Sequence, residues 1–256
     1  MPQPSALITR LEAIGQSLAA TGRARALLGL GSVGIERDRL DQYSDLDFFV
    51  LARDGEKSWF LQNLTWLSAI APLAFAFQNT VDGYKVLFDD DIFCEWAVFE
   101  AQELAQIPFA TGMIIWQTDD VDPAIFQPQL STKPQPASDA WLLGEALANL
   151  YVGMGRYQRG EHLSAMRFVQ SYAVDHVLQL ASRRLVSAAH VLPDQFAYER
   201  RFEQQFPQLR AMLASFMQGY EHTPASALAI LAFLEHEFTV SPTMARLIRA
   251  RCNTIS

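Results

Sequence analysis

The chain has 256 residues, half of them hydrophobic and 19% charged, with two cysteines and a formal net charge of −8. That composition fits one large or two medium globular domains and excludes a disulfide framework or a cysteine-built metal site. There is no apolar run of ~18 residues and no cationic-then-apolar leader, so no membrane span is expected and a cytoplasmic location is the expectation.

The charge is unevenly spread. The first 138 residues carry 9 Lys/Arg against 18 Asp/Glu, and the remainder carries 11 Arg against 10 Asp/Glu. An acidic first half argues against a nucleic-acid backbone as ligand, which needs a basic stripe. It suits metal ions and cationic small molecules.

In chain order, Ser5 to Ala20 places Leu7, Ile8, Leu11, Ile14 and Leu18 at helical spacing, and Gly22 ends that helix. Arg25 to Leu30 reads as a first strand. A small-residue turn containing Gly31 and Ser32 follows, then a polar crossing, then Asp45-Leu46-Asp47 opening a second apolar strand to Ala52. Residues two apart in a strand point to one face, so Asp45 and Asp47 are expected side by side at the strand mouth. Like charges held that close repel, and a hard divalent cation such as Mg2+ removes the repulsion. The bland alternative is a pair of aspartates that end a turn.

Gly29, Gly31 and Gly34 also spell G-x-G-x-x-G, the dinucleotide fingerprint. That motif should open a helix packed on a parallel sheet. The segment from Ile35 to Ser44 is too polar and too short for such a helix, so this reading ranks second.

Glu56 to Ile70 is predicted as one helix with Trp59, Phe60, Leu64 and Leu67 on its apolar face. Pro72 to Gln78, Tyr84 to Phe88, Ile92 to Phe99 and Met113 to Trp116 read as strands. The first two of these are joined by a turn with Asp82-Gly83, a hairpin signal. Glu95 is the lone acid in its strand, flanked on its own face by Phe93 and Ala97. Burial there is costly without a cation or a proton. Antiparallel pairing would bring Glu95 beside Asp45 and Asp47, while an edge-strand Glu facing water is the alternative. Cys94 in the same strand is read as core packing. Asp89 to Asp91 and Asp119 to Asp122 are read as solvated turns.

Gln127 to Ala137 is rich in Pro, Gln and Ser and reads as a linker. The expected domains are therefore 1–126 and 138–256. Ser138 starts a helical half: one helix to about Tyr157, a break at Gly160, a second helix from Glu161 to Ala189, and starts at Thr223-Pro224 and Ser241-Pro242. About five helices in a bundle are expected. The five histidines all lie in this half and form no zinc motif. The Arg184…His190 spacing faintly matches a ribonuclease motif, and chance explains it better.

The stretch Gly31-Ser32…Asp45-x-Asp47 resembles the signature of the nucleotidyltransferase superfamily. D-Q-Y-S-D at 41 to 45, W-L-x-x-I-A-P at 66 to 72, F-D at 88 to 89 with Glu95 beyond, and R-G-E at 159 to 161 are similar to the lincosamide nucleotidyltransferases, antibiotic-modifying relatives of the aminoglycoside enzymes. The spacer from Ser32 to Asp45 departs from the pattern, being longer and holding Arg37 and Arg39 where a lysine-glycine pattern is commoner.

The resemblance implies an α+β fold: a polymerase-β-like mixed sheet with helices, then a helical bundle that shapes the acceptor site. It implies that Gly31 and Ser32 hold the triphosphate and that Asp45 and Asp47 bind Mg2+; for Glu95 it favours the role of catalytic base, completion of a second metal site being the alternative. The expected reaction moves AMP from ATP to a hydroxyl of a small molecule, such as a lincosamide or an aminoglycoside, and releases pyrophosphate. Arg159 is a candidate phosphate contact, with Gly160 and Glu161 read as serving a helix–helix turn. A homodimer is expected by analogy alone. The alternative functions are transfer to a protein hydroxyl and an antitoxin-like interaction module of the same fold.

Overall fold

The structure is a computed structural model that describes residues 2–126, 137–188 and 199–253. The chain divides into two compact units, Met1–Pro134 and Gln135–Ser256. Most of the Pro- and Gln-rich stretch read as a linker lies outside the described residues, as do Ala189 and His190.

The first unit opens with helix α1, Pro4–Thr21. It ends as the sequence predicts, because Gly22 takes a left-handed φ of 65° and its N–H donates to the Ala19 carbonyl. Strands β1, Ala24–Gly29, and β2, Leu46–Ala52, follow. The predicted helix from Glu56 to Ile70 is two pieces, α2, Lys57–Gln62, and α3, Thr65–Ser68. The break falls at Asn63, which turns extended while its side-chain amide donates to the Trp59 carbonyl at 3.1 Å. Asn competes for local backbone partners in this way wherever it interrupts a helical run.

Next come β3, Leu73–Thr80, β4, Gly83–Phe88, and β5, Phe93–Phe99. A short helix α4, Ala101–Leu104, was not expected; it is closed by a reciprocal Glu100–Glu103 capping box. Strand β6 is Met113–Gln117.

The six strands form one mixed sheet in the order β3-β4-β5-β2-β1-β6. All neighbours are antiparallel except β2 and β5. The chain leaves the end of β2 through α2 and α3, makes the β3–β4 hairpin, and re-enters as β5 in the direction of β2. One face of the sheet packs on α1, α2 and α3 through a continuous core that includes Leu11, Leu27, Phe48, Phe60, Trp66 and Trp96. Each such side chain contributes about 1.5–3 kcal/mol by leaving water. The opposite face carries a smaller apolar cluster of Leu28, Leu51, Phe99 and Phe109 at the far end of β2 and β5. The start of those two strands on that face is left half-open.

The second unit is helical. Helix α5, Asp139–Gln158, is capped by the Ser138 hydroxyl, which accepts from the Trp141 N–H. Helix α6, His162–Arg167, passes through a π turn at Phe168–Ala173 into α7, Val174–Arg184, where the predicted second helix stops. Then come α8, Phe202–Gln205, α9, Arg210–Phe216, α10, Thr223–Glu237, and α11, Pro242–Asn253. Their apolar faces share one core around Leu150, Val177, Ile230 and Ile248. The whole chain is thus α+β, a mixed sheet with helices followed by C-terminal helices. Among the described residues no helix is long and apolar enough to cross a membrane.

Candidate active site

The site is built where β1 ends and β2 begins. The Leu30 N–H donates to the Asp47 carbonyl at 2.8 Å, so the turn after β1 is tied to the second residue of β2. Gly31 then takes a φ of +51°, and a Cβ there would stand 4.0 Å from Asp47 Oδ2. Gly31-Ser32-Val33 is a single 3-10 turn, closed by Gly34 N–H donating to the Gly31 carbonyl at 3.1 Å. Gly31 therefore lies beside the Asp47 carboxylate, and Ser32 follows it in a turn whose small residues let another group approach the backbone.

The other glycines of the fingerprint have a packing role. A Cβ on Gly34 would fall 2.5 Å from the Gly29 carbonyl oxygen, and one on Gly29 would fall 2.7 Å from that of Val33. The turn opens no crossover helix, and β1 and β2 run antiparallel. The second-ranked dinucleotide reading finds no support here, because its glycines must open a helix between two parallel strands.

The polar crossing folds on itself. The Glu36 carboxylate accepts from Arg39 in an ion pair, and Asp41 forms an Asx turn that accepts from Tyr43 N–H at 2.8 Å and from the Ser44 hydroxyl at 3.1 Å. That turn delivers Asp45 to the residue just before β2, where it is half-buried.

Glu95 reaches the same place by a different route from the one expected. It is the Cα partner of Asp47 through the parallel β2–β5 pairing; antiparallel pairing is not involved, because the helical crossover returns β5 in the direction of β2. Nor is Glu95 buried: its side chain keeps 42% exposure. Its charge has local partners. Asn79 Nδ2 donates to Oε1 at 3.0 Å, and Lys85 Nζ pairs with Oε2 at 3.1 Å. A carboxylate has about four lone-pair positions, so both oxygens can still accept another proton donor.

The expectation for Cys94 agrees with its placement. It is fully buried opposite Leu46, and burial, reinforced by Asp45, Asp47 and Asp90, pushes its thiol far up and leaves it inert.

Two residues were missed at the sequence level, Lys85 and Asn79. Lys85 carried a readable signal as the lone charge in the run Tyr84 to Phe88. Asn79 carried none, since it lies one residue past the predicted strand. Arg159, the candidate phosphate contact, pairs with Glu161 at 2.8 Å across the turn after α5, with Gly160 at a φ of +78°. That pair bridges the helix–helix turn at the surface, with the Arg159 side chain 62% exposed. A cavity of about 200 Å³ in the helical unit is lined by Leu185, Leu209, Phe233 and Phe238 among others, and by none of the candidate residues.

Asp45 and Asp47 are a donor set of hard carboxylate oxygens at the start of one strand, the type that suits Mg2+ shared with phosphate oxygens. Among the described residues no group of three or more His, Cys, Asp or Glu is arranged to hold a metal alone. Mg2+ sites seldom need one, because substrate phosphates and waters complete the shell.

No protein-family model matches the chain, and no curated protein matches it. Among solved structures, the chain is similar to an aminoglycoside 6-adenyltransferase from Bacillus subtilis at a TM-score of 0.34 and 11% identity, over 98% of this chain and 92% of that one. A likeness at that level carries no argument here, and the site is read from its own residues.

Proposed function

We propose that this chain is a nucleotidyltransferase that moves a nucleoside monophosphate, AMP from ATP, to a hydroxyl of a small molecule. The observation that carries this reading is the convergence on Asp47: Gly31 against its carboxylate and Glu95 as its partner on the next strand. Glycine-serine turn, paired aspartates and a third carboxylate come from three separate stretches of sequence, and a merely structural role for each would not require that they meet.

In this reading the Gly31-Ser32 turn receives the triphosphate through its backbone and hydroxyl. Asp45 and Asp47 would hold Mg2+, whose charge offsets that of the phosphates. The acceptor oxygen forms a bond to the α-phosphorus, the bond from that phosphorus to the bridging oxygen breaks, and pyrophosphate leaves. The hydroxyl proton passes to Glu95. Lys85 and Asn79 fix the Glu95 carboxylate, so that it is aimed before the acceptor arrives. Catalysis of this kind depends mainly on positioning and charge.

The test is pyrophosphate release with Mg2+ and ATP across a panel of hydroxylated acceptors that begins with lincosamides and aminoglycosides. Release that requires both an acceptor and Mg2+, with a mass gain of AMP on the acceptor, supports the reading. Mg2+-independent turnover, or transfer of a phosphoryl group alone, would sink it.

A further inference from the structure

The strand register sets Phe77, Lys85, Glu95 and Asp47 in one row across β3, β4, β5 and β2. The neighbouring row on that face runs Phe75, Leu87, Phe93. Phe75 and Phe77 are 51% and 45% exposed, with ring centroids 5.5 Å apart. The other large exposed hydrophobics among the described residues of this unit, Ile35, Tyr43 and Val81, sit singly in turns. Single exposed apolar side chains need no explanation, whereas an apolar patch continuous over several strands marks a ligand or partner site.

We infer that this face is the acceptor platform, and that the acceptor is a hydroxylated small molecule with an apolar or planar body. The inference rests on the nucleotidyltransferase reading and names its second substrate class. Strands lie about 4.8 Å apart, so Phe77 is about 10 Å from Glu95, within the span of one small molecule. A hydroxyl placed at Glu95 lets the body lie over the aliphatic stem of Lys85, which can cover apolar surface while its ammonium stays on the Glu95 carboxylate. The far end of the body then meets the two phenyl rings. Strand β3 contains no charged residue. Beyond Lys85 the platform therefore carries no charge and suits the apolar end of an acceptor. A second copy of this chain pairing along the β3 edge is the competing occupant. The continuity of the phenyl pair with the Glu95 row favours the small molecule.

The experiment compares two glycosides that differ only in their apolar body, 4-nitrophenyl β-D-glucoside and methyl β-D-glucoside. Each is titrated into the full chain by saturation-transfer NMR, with Mg2+ and an ATP analogue whose α–β bridging oxygen is replaced by methylene. The nitrophenyl glycoside should bind at least about tenfold tighter than the methyl glycoside, with transfer to its ring. Phe75→Ser with Phe77→Ser should remove that preference, and Phe77→Tyr should keep it. Equal binding of the two glycosides, binding of neither, or a preference that survives the double substitution would overturn the inference. So would a wild-type dimer in sedimentation velocity that becomes a monomer in the double variant, since a second copy would then cover the rings. Calorimetry of the nucleotide analogue with wild-type protein runs alongside. Its failure to bind would count against nucleotidyl transfer itself, whereas nucleotide binding without glycoside preference would count against the platform alone.

Discussion

Asp47 and Glu95 are Cα partners on two neighbouring parallel strands, although 48 positions separate them in the chain. A parallel pair needs a long crossover, and here α2, α3 and the β3–β4 hairpin supply it. The hairpin also delivers Asn79 and Lys85 to the Glu95 carboxylate. The same segment that makes the crossover therefore completes the site.

Glu95→Gln keeps the size and the Asn79 contact but removes the proton acceptor. In a pyrophosphate-release assay with a working acceptor, kcat should fall by about 10²–10⁴-fold while the KM for ATP changes little. An equal loss of ATP affinity would instead place Glu95 in the nucleotide site.

Lys85 acts through Glu95 and is a positioning residue. Lys85→Met should lower kcat by roughly ten- to a hundredfold with the KM for ATP unchanged, and Lys85→Arg should recover a good part of the loss. Full activity in Lys85→Met would show that the carboxylate needs no such hold.

The two glycines of the turn should separate fold from function. Gly31→Ala forces a left-handed φ on a residue with a Cβ, at a cost of about 1–2 kcal/mol, and so shifts the backbone of the turn beside the Asp47 carboxylate. Nucleotide binding should suffer more than stability does. Gly34→Ala drives a methyl to 2.5 Å from the Gly29 oxygen and should destabilise the fold by about 3 kcal/mol. Urea denaturation of both variants, paired with ATP titration, reads the contrast.

Lys57 bridges Asp82 and Glu103, each at 2.6 Å, and so ties α2 to the β3–β4 turn and to α4. Burial opposes the Lys57 charge, but the two carboxylates outweigh it and raise its pKa. Burial likewise opposes the Glu103 charge, and the Glu100 N–H and Lys57 outweigh it and lower its pKa. The raised lysine contributes stability below its ordinary value of 10.5, lost as pH rises through the folded value. The lowered glutamate contributes above its ordinary value of 4.5, lost as pH falls through the folded value. Lys57→Met should therefore cost about 1 kcal/mol at neutral pH, with a smaller difference from wild type at acid pH. A pH-independent difference in urea midpoints would contradict the assignment.

The sequence carried more of the elements than of their pairing. Asp45-Leu46-Asp47 at the head of an apolar run marked β2 and its acids, because a charge pair at a strand mouth is a local feature. The direction of β5 was not legible, since the side-chain pattern of Ile92 to Phe99 is the same in a parallel or an antiparallel pair. The partners of Glu95 were hidden for a related reason. Asn79 and Lys85 reach it only through the exact register of two strands, which no local spacing encodes. Pro72 to Gln78 reads simply as a strand, and β3 is an edge strand exposed on both faces. Position in the sheet, and not its own pattern, leaves Phe75 and Phe77 in solvent.

The most direct test of the central claim is calorimetric titration of ATP into wild type and Asp47→Asn, each with Mg2+ and with EDTA. The account predicts binding by wild type that requires Mg2+ and is lost in Asp47→Asn, with both proteins equally folded by circular dichroism. Binding that survives EDTA, or that Asp47→Asn retains in full, would contradict a nucleotide site built on the β2 aspartates.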